Sequence, residues 1–190
     1  EEIIKNNPDV IVIVDEAYID FGGETALPLI DKYDNLVVVR TFSKSRSMAG
    51  LRIGYAISNP ELIKALNDVK YSYNSYTMNR PSLVLGVESI HDDAYFREKV
   101  GQIIATRERF VKEIAELGFT CLPSSANFVF ATHESIPAKE IFAAAKENNI
   151  YVRYFDKPRI DNYLRISIGT DAEMDAFVAF LKGYVETKQN

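Results

Sequence analysis

Val39-Arg-Thr-Phe-Ser-Lys-Ser-Arg-Ser-Met-Ala-Gly-Leu-Arg-Ile-Gly-Tyr55 is the stretch whose reading decides the fold. An apolar run, Leu36-Val-Val-Val39, leads into a cluster of hydroxyl residues holding one lysine, Lys44. Arg52 follows eight residues after that lysine, then Ile-Gly-Tyr and a further apolar run. A lysine presented at a strand end among hydroxyls, with an arginine nearby, suits a covalent amine nucleophile beside a phosphate clamp. Upstream, Val10-Ile-Val-Ile-Val-Asp15-Glu-Ala-Tyr18 ends another strand on a carboxylate and a phenol. Neither strand alternates apolar with polar residues, the pattern of strands covered on both faces in a parallel sheet.

Together these groups suggest a pyridoxal phosphate site, with Lys44 for the Schiff base, Asp15 for the pyridine nitrogen, and Ser43 and Arg52 for the phosphate. A strand-end aspartate in a buried strand needs such a cationic partner. Arg165, inside the apolar run Tyr163-Leu-Arg165-Ile-Ser-Ile-Gly169, should likewise hold an anion, because a buried guanidinium must be paired. Arg46 has no comparable motif support and reads as a surface or lid residue.

Asp15-Glu-Ala-Tyr18, Ser43-Lys44 with Ala49-Gly-Leu-Arg52-Ile-Gly-Tyr55, Ser125-Ala-Asn127-Phe and Tyr163-Leu-Arg165-Ile-Ser-Ile-Gly169-Thr occur in this order over most of the chain. In that combination the sequence resembles the fold-type I aminotransferases, and within them the histidinol-phosphate aminotransferases. The resemblance implies that Lys44 is catalytic and that Asp15, Tyr18, Ser43, Lys44 and Arg52 bind the cofactor. Tyr18 takes the place of the tyrosine that hydrogen-bonds the cofactor's phenolic oxygen. It also implies that Arg165 and Arg153 bind substrate, Arg153 as a second phosphate-gripping arginine. The implied reaction moves an amino group between glutamate/2-oxoglutarate and histidinol phosphate/imidazole acetol phosphate in histidine biosynthesis, in a cytoplasmic homodimer.

Composition agrees with a globular domain: 190 residues, 47% hydrophobic and 26% charged, are enough for one or two cores. The net charge of −5 is interspersed, with no basic footprint for nucleic acid. One cysteine, Cys121, precludes an intramolecular disulfide and reads as a small core residue. No metal-ligand cluster is visible; His133-Glu134 lacks the second histidine of a zincin, and both His91 and His133 read as surface residues. No apolar run is long enough to span a membrane, and Glu1–Asn7 has neither signal nor transit character.

The expected architecture is α/β: the C-terminal part of a mostly parallel cofactor-binding sheet domain over residues 1–92, then a smaller α/β domain over 93–190 entered by a long helix. Strands are expected at 10–14, 36–39, 53–58, 119–122, 128–131, 150–153 and 163–168. Helices are expected at 61–69, 82–90, 93–117 (stopped by Gly118), 137–148 and 171–186, the last capped by Asp171. The tyrosine-rich stretch 71–81 reads as an irregular loop. A family member carries roughly as much chain again before this point, so the 190 residues are expected to be a C-terminal portion, inactive or nearly so alone.

Other readings remain at this stage. A threonine-phosphate decarboxylase-like or aromatic aminotransferase-like enzyme shares the lysine motif. A non-catalytic effector-sensing domain derived from aminotransferases would keep the fold without turnover. Four apolar residues followed by Asp15-Glu16 also look like a Walker B strand, but no Gly-x-x-x-x-Gly-Lys-[Ser/Thr] loop accompanies them.

Overall fold

The computed structural model describes residues 1–189 and divides into two units, Glu1–Glu98 and Lys99–Asn190. In the first unit a short helix α1 (Glu2–Lys5) precedes strand β1 (Val12–Asp15), followed by β2 (Leu36–Thr41) and β3 (Gly54–Ile57). They form one sheet in the order β1-β2-β3. β1 runs parallel to β2, with Asp15 opposite Val39, whereas β3 is antiparallel to β2, with Gly54 opposite Thr41. Helices α2 (Pro60–Tyr73) and α3 (Arg80–His91) follow.

Both helices start where the local chemistry directs. The Asn59 side chain accepts from the Leu62 N–H at 3.0 Å with Pro60 in the first turn, and the Asn79 side chain accepts from the Ser82 N–H at 2.9 Å with Pro81 beside it. α2 continues to Tyr73, through the first part of the stretch read as a loop. Burial differs between the two parallel strands: β2 is covered on both faces, with Leu36, Val37 and Val38 all buried, whereas β1 is covered on one. Leu36 and Val38 form a small core with Ile4, onto which Val12 and Val14 pack. The alternate face of β1 is open, Ile13 being 64% exposed, and Val69 of α2 is 68% exposed. Continuous apolar runs in β1 therefore do not have both faces covered within this chain, a correction to the sequence expectation: nothing in this unit packs on the Ile11–Ile13 side.

Helix α4 (Asp93–Ala115) crosses the unit boundary. In the second unit β4 (Phe119–Cys121), β5 (Phe128–His133), helix α5 (Ala138–Glu147), β6 (Arg153–Tyr154), β7 (Leu164–Ser167) and helix α6 (Asp171–Gln189) follow. The sheet is wholly antiparallel, in the order β4-β5-β7-β6. Burial alternates along β5, so Val129 and Ala131 join Leu164 and Ile166 of β7 on the core face. Phe110 and Ile114 of α4, Ile141 of α5 and Phe177 and Leu181 of α6 complete that core, and each such fully buried side chain contributes about 1.5–3 kcal/mol. Phe110 stacks on Phe177, ring centroids 5.9 Å apart.

Thr170, rather than Asp171, caps α6. Its hydroxyl accepts from the Glu173 N–H at 3.3 Å while Glu173 reaches back to the Thr170 N–H at 2.7 Å, a reciprocal capping box. Asp171 instead accepts from Thr106 at 2.8 Å and from Arg109 at 3.0 Å, tying α6 to α4.

Candidate active site

The C-terminal ends of β1 and β2 and the start of β3 lie at one edge of the first sheet. In α/β sheets this carboxyl edge is where ligands bind. Every residue expected to hold the cofactor emerges there, as a consequence of strand direction.

Asp15 closes β1 on its open face, opposite in alternation to the buried Glu16. Its carboxylate is exposed and accepts from the Ala17 N–H at 3.0 Å, a turn that orients it at the strand end. The expected burial of Asp15 is thus not present within this chain. Tyr18 lies just beyond, and the Lys44 Nζ stands over its ring, 5.3 Å from the centroid. Residues from two different strand ends are brought together by that contact.

Thr41 ends β2 and organises the start of the lysine loop. Its Oγ accepts from the Ser43 N–H at 3.0 Å and lies 2.9 Å from Ser43 Oγ and 3.1 Å from the Ile53 carbonyl. Ser45 is buried and donates to Asp20. Arg52 enters β3 with a left-handed backbone, φ 56°, and its guanidinium donates to the Ala49 carbonyl at 3.0 Å. Ser47 is also left-handed, φ 55°. Non-glycine residues held in this region concentrate at functional turns. Lys44 and Arg52 are both exposed.

Beneath this edge lies an ion pair that sequence reading missed. Glu16 is buried and accepts from Arg40 Nε at 2.9 Å, Thr25 Oγ at 3.0 Å and the Ala26 N–H at 2.6 Å. Burial opposes the charge on Arg40, but hydrogen bonds to Glu16 and Tyr55 outweigh it and raise its pKa. The signal was present: Arg40 interrupts an apolar strand just as Arg165 does. Arg46 is half-buried between aromatic rings, and not the surface residue expected.

Arg165 and Arg153 belong to the second unit. They are directly opposed in the β6–β7 ladder, and Phe130 faces Arg165 from the other side. The Arg165 guanidinium lies 5.0 Å from the Phe128 ring centroid, that of Arg153 4.9 Å from Phe155. Arg165 Nε is buried with no hydrogen-bond partner among the described residues, a donor suited to an anion. Asn127 contributes its carbonyl, which accepts from Ile168 N–H at 2.9 Å.

The sequence reading passed over Arg107, and His133 differs from expectation. Arg107 is buried on α4, in step with Val100, Ile103, Phe110 and Ile114, and donates to the Ala126 carbonyl at 2.8 Å. His133 is buried at the end of β5: Nδ1 accepts from the Ser135 and Ile136 N–H groups, both at 3.1 Å, and Nε2 stands 2.9 Å from the Leu117 carbonyl. Both ring nitrogens are thus engaged by backbone groups. No group of three or more potential metal ligands occurs among the described residues. Burial pushes the Cys121 thiol up to about 11, in keeping with an inert packing role. No helix among the described residues is long and apolar enough to cross a membrane.

The sheet edge, the lysine loop and the antiparallel second unit define a class. The family profile "Aminotransferase class I and II" matches residues 1–181, and the chain belongs to that family. Among curated relatives it is 53% identical to the histidinol-phosphate aminotransferase of Brachyspira hyodysenteriae, over 96% of this chain and 52% of that protein. It is 51% identical to that of Lactococcus lactis, over 100% and 52% respectively. The chain thus spans about half the length of these relatives. The crystal structure of the Clostridium acetobutylicum histidinol-phosphate aminotransferase superposes with a TM-score of 0.88 at 26% identity, over 98% of this chain and 58% of that one. The Sinorhizobium meliloti enzyme, solved in complex with pyridoxal-5'-phosphate, gives 0.79 at 28% identity, over 93% and 49%.

Proposed function

We propose that this chain is the C-terminal portion of a pyridoxal phosphate-dependent aminotransferase that exchanges an amino group between histidinol phosphate and 2-oxoglutarate in histidine biosynthesis. The observation that carries the reading is the placement of Lys44 Nζ over the Tyr18 ring at the sheet edge shared with Asp15, Ser43 and Arg52. That donor set fits the cofactor: an amine for the covalent bond, a carboxylate for the ring nitrogen, a phenol for the phenolic oxygen, a hydroxyl and a guanidinium for the phosphate. Bound there, the cofactor supplies an electron sink for charge developing at the substrate α-carbon.

The protein's own part is positioning and proton transfer. Lys44 Nζ takes the proton from the α-carbon of the amino donor. Asp15, oriented by the Ala17 N–H, keeps the ring nitrogen protonated. Arg165, with its unpaired Nε, holds a substrate anion, and Arg153 beside it adds the second charge that a phosphate dianion requires. The named activity of relatives about half identical over nearly the whole chain supports the choice of substrate. The chain spans only about half of those relatives, so turnover is assigned to a longer protein, acting as a homodimer, and the 190 residues alone are expected to be inactive or nearly so.

Borohydride reduction in the presence of pyridoxal phosphate, followed by peptide mass spectrometry, tests the site. The expected result is a pyridoxyl adduct confined to Lys44 and lost in Lys44→Ala. An adduct spread over several lysines in the full-length protein would defeat the reading.

A further inference from the structure

The loop that carries Lys44 is anchored to a neighbouring helix by an arginine to which the proposed chemistry assigns no part. The Arg46 guanidinium lies 4.1 Å from the Phe96 ring centroid on α4 and 5.4 Å from that of Phe42 on its own loop. It also donates to the Ser89 carbonyl, in the last turn of α3. Carbonyls there lack intrahelical donors and carry the negative end of the helix dipole, so a guanidinium is their natural partner. Two aromatic faces and one directed hydrogen bond leave the Arg46 side chain little freedom.

Two more contacts join the same helix to the same loop. Ser82 is buried and donates to the Leu51 carbonyl at 2.8 Å. Gly86 lets α3 approach closely, since a β-carbon there would stand 2.9 Å from Ile53 Cδ1 and 3.9 Å from Phe42 Cε2. Ser82, Gly86 and Ser89 fall four and three residues apart and so share one face of α3. Between Lys44 and Arg46, Ser45 is tied to Asp20, and the loop closes on itself through Ser47 N–H to the Lys44 carbonyl at 3.1 Å and Met48 N–H to the Phe42 carbonyl at 3.0 Å.

We propose that Arg46 is a positioning residue for Lys44: by bridging Phe42, Phe96 and the C-terminal turn of α3 it fixes the backbone from which the reactive amine projects. Lys44 is itself exposed, and no hydrogen bond to its side chain fixes the amine among the described residues. Its position therefore depends on the backbone on either side. The proposal rests on the reading of Lys44 as the covalent residue. A lysine cannot replace Arg46, because an ammonium has neither a planar face for two rings nor the directed fork.

The test uses the full-length protein carrying Arg46→Met, Arg46→Lys or, as a variant that leaves the loop sequence intact, Phe96→Leu. Expected are a kcat lowered roughly tenfold or more with KM within about twofold, as for a displaced catalytic group. The pH midpoint of the bound cofactor's absorbance should move by about half a unit or more, and amide exchange over residues 43–51 should quicken. If the variants melt earlier yet keep the midpoint, the exchange rates and kcat per bound cofactor, Arg46 is only a stabilising contact and the proposal fails. If the unaltered protein yields no Lys44 adduct, the functional reading fails and takes this inference with it. A Lys44 adduct with an unmoved midpoint defeats this inference alone.

Discussion

Arg153 and Arg165 stand directly opposite each other across the antiparallel β6–β7 ladder. Side chains so paired have β-carbons about 5 Å apart, and like charges placed there repel. Aromatic rings flank both guanidiniums, and neither is paired with a carboxylate in an ion pair among the described residues. Under the proposed function these two cations, held together without a counter-charge, receive a doubly charged anion. In the full-length protein, Arg165→Gln should raise KM for both the phosphorylated and the dicarboxylate substrate by roughly 10–100-fold, the loss of a charge-assisted hydrogen bond. Arg153→Gln should raise KM for the phosphorylated substrate alone. In the absence of anion, Arg153→Gln should leave stability unchanged or raise it by up to about 1 kcal/mol, measured by urea unfolding. Equal losses for both substrates in Arg153→Gln would refute the division of labour.

Glu16→Gln keeps the volume of the buried acid but removes the counter-charge of Arg40, whose Nη2 lies 2.8 Å from the carboxylate. Removing one partner of a buried pair leaves the other charge uncompensated and should destabilise by roughly 3 kcal/mol, read from the urea midpoint. Glu16→Gln with Arg40→Met should recover part of that loss. An additive double variant would mean that the two side chains do not stabilise one another.

Gly118 adopts φ +84°, and a β-carbon there would come within 3.0 Å of His133 Nε2 and 3.1 Å of Glu134 Oε1. Gly118→Ala therefore combines left-handed strain of about 1–2 kcal/mol with displacement of the His133 ring from the Leu117 carbonyl. The melting temperature should fall by several degrees. An unchanged melting temperature would show that the turn can relax.

Hydrogen bonds from Thr106 and then Arg109 hold the Asp171 carboxyl below its usual range. A carboxyl depressed in the folded state adds stability that is present above its unfolded pKa of about 3.9 and disappears as pH falls through the lower folded value. Asp171→Asn should flatten the acid limb of stability against pH below about pH 4 and leave its slope near neutrality unaltered. An acid limb identical in both proteins would show that this carboxyl does not drive the transition.

Much of the fold was legible because periodicity is local. Pro60 after Asn59, the apolar stripe of α4 and the alternating strands of the second unit follow from side-chain spacing and capping chemistry alone. The candidate cofactor residues were legible for a related reason: strand-end motifs place a lysine, a carboxylate and an arginine near turns. What misled was partner-dependent. Asp171 looks like a helix cap, but Thr170 with Glu173 satisfies those N–H groups and frees Asp171 for Thr106 and Arg109. His133 and Arg107 look like surface residues by type, yet the Leu117 and Ala126 carbonyls, 16 and 19 residues away, meet them in the interior.

Taken alone, the sequence determined most of the element order and singled out the candidate reactive groups, because residue type and spacing act over a few neighbours. Only the tertiary structure decided the register that sets Asp15 opposite Val39 and the contact that brings the Lys44 amine over the Tyr18 ring. It likewise set Arg153 opposite Arg165, and seated Arg46 between Phe42 and Phe96. Register and ring contacts join residues tens of positions apart, and strand pairing and the packing of whole helices, rather than local propensity, select them.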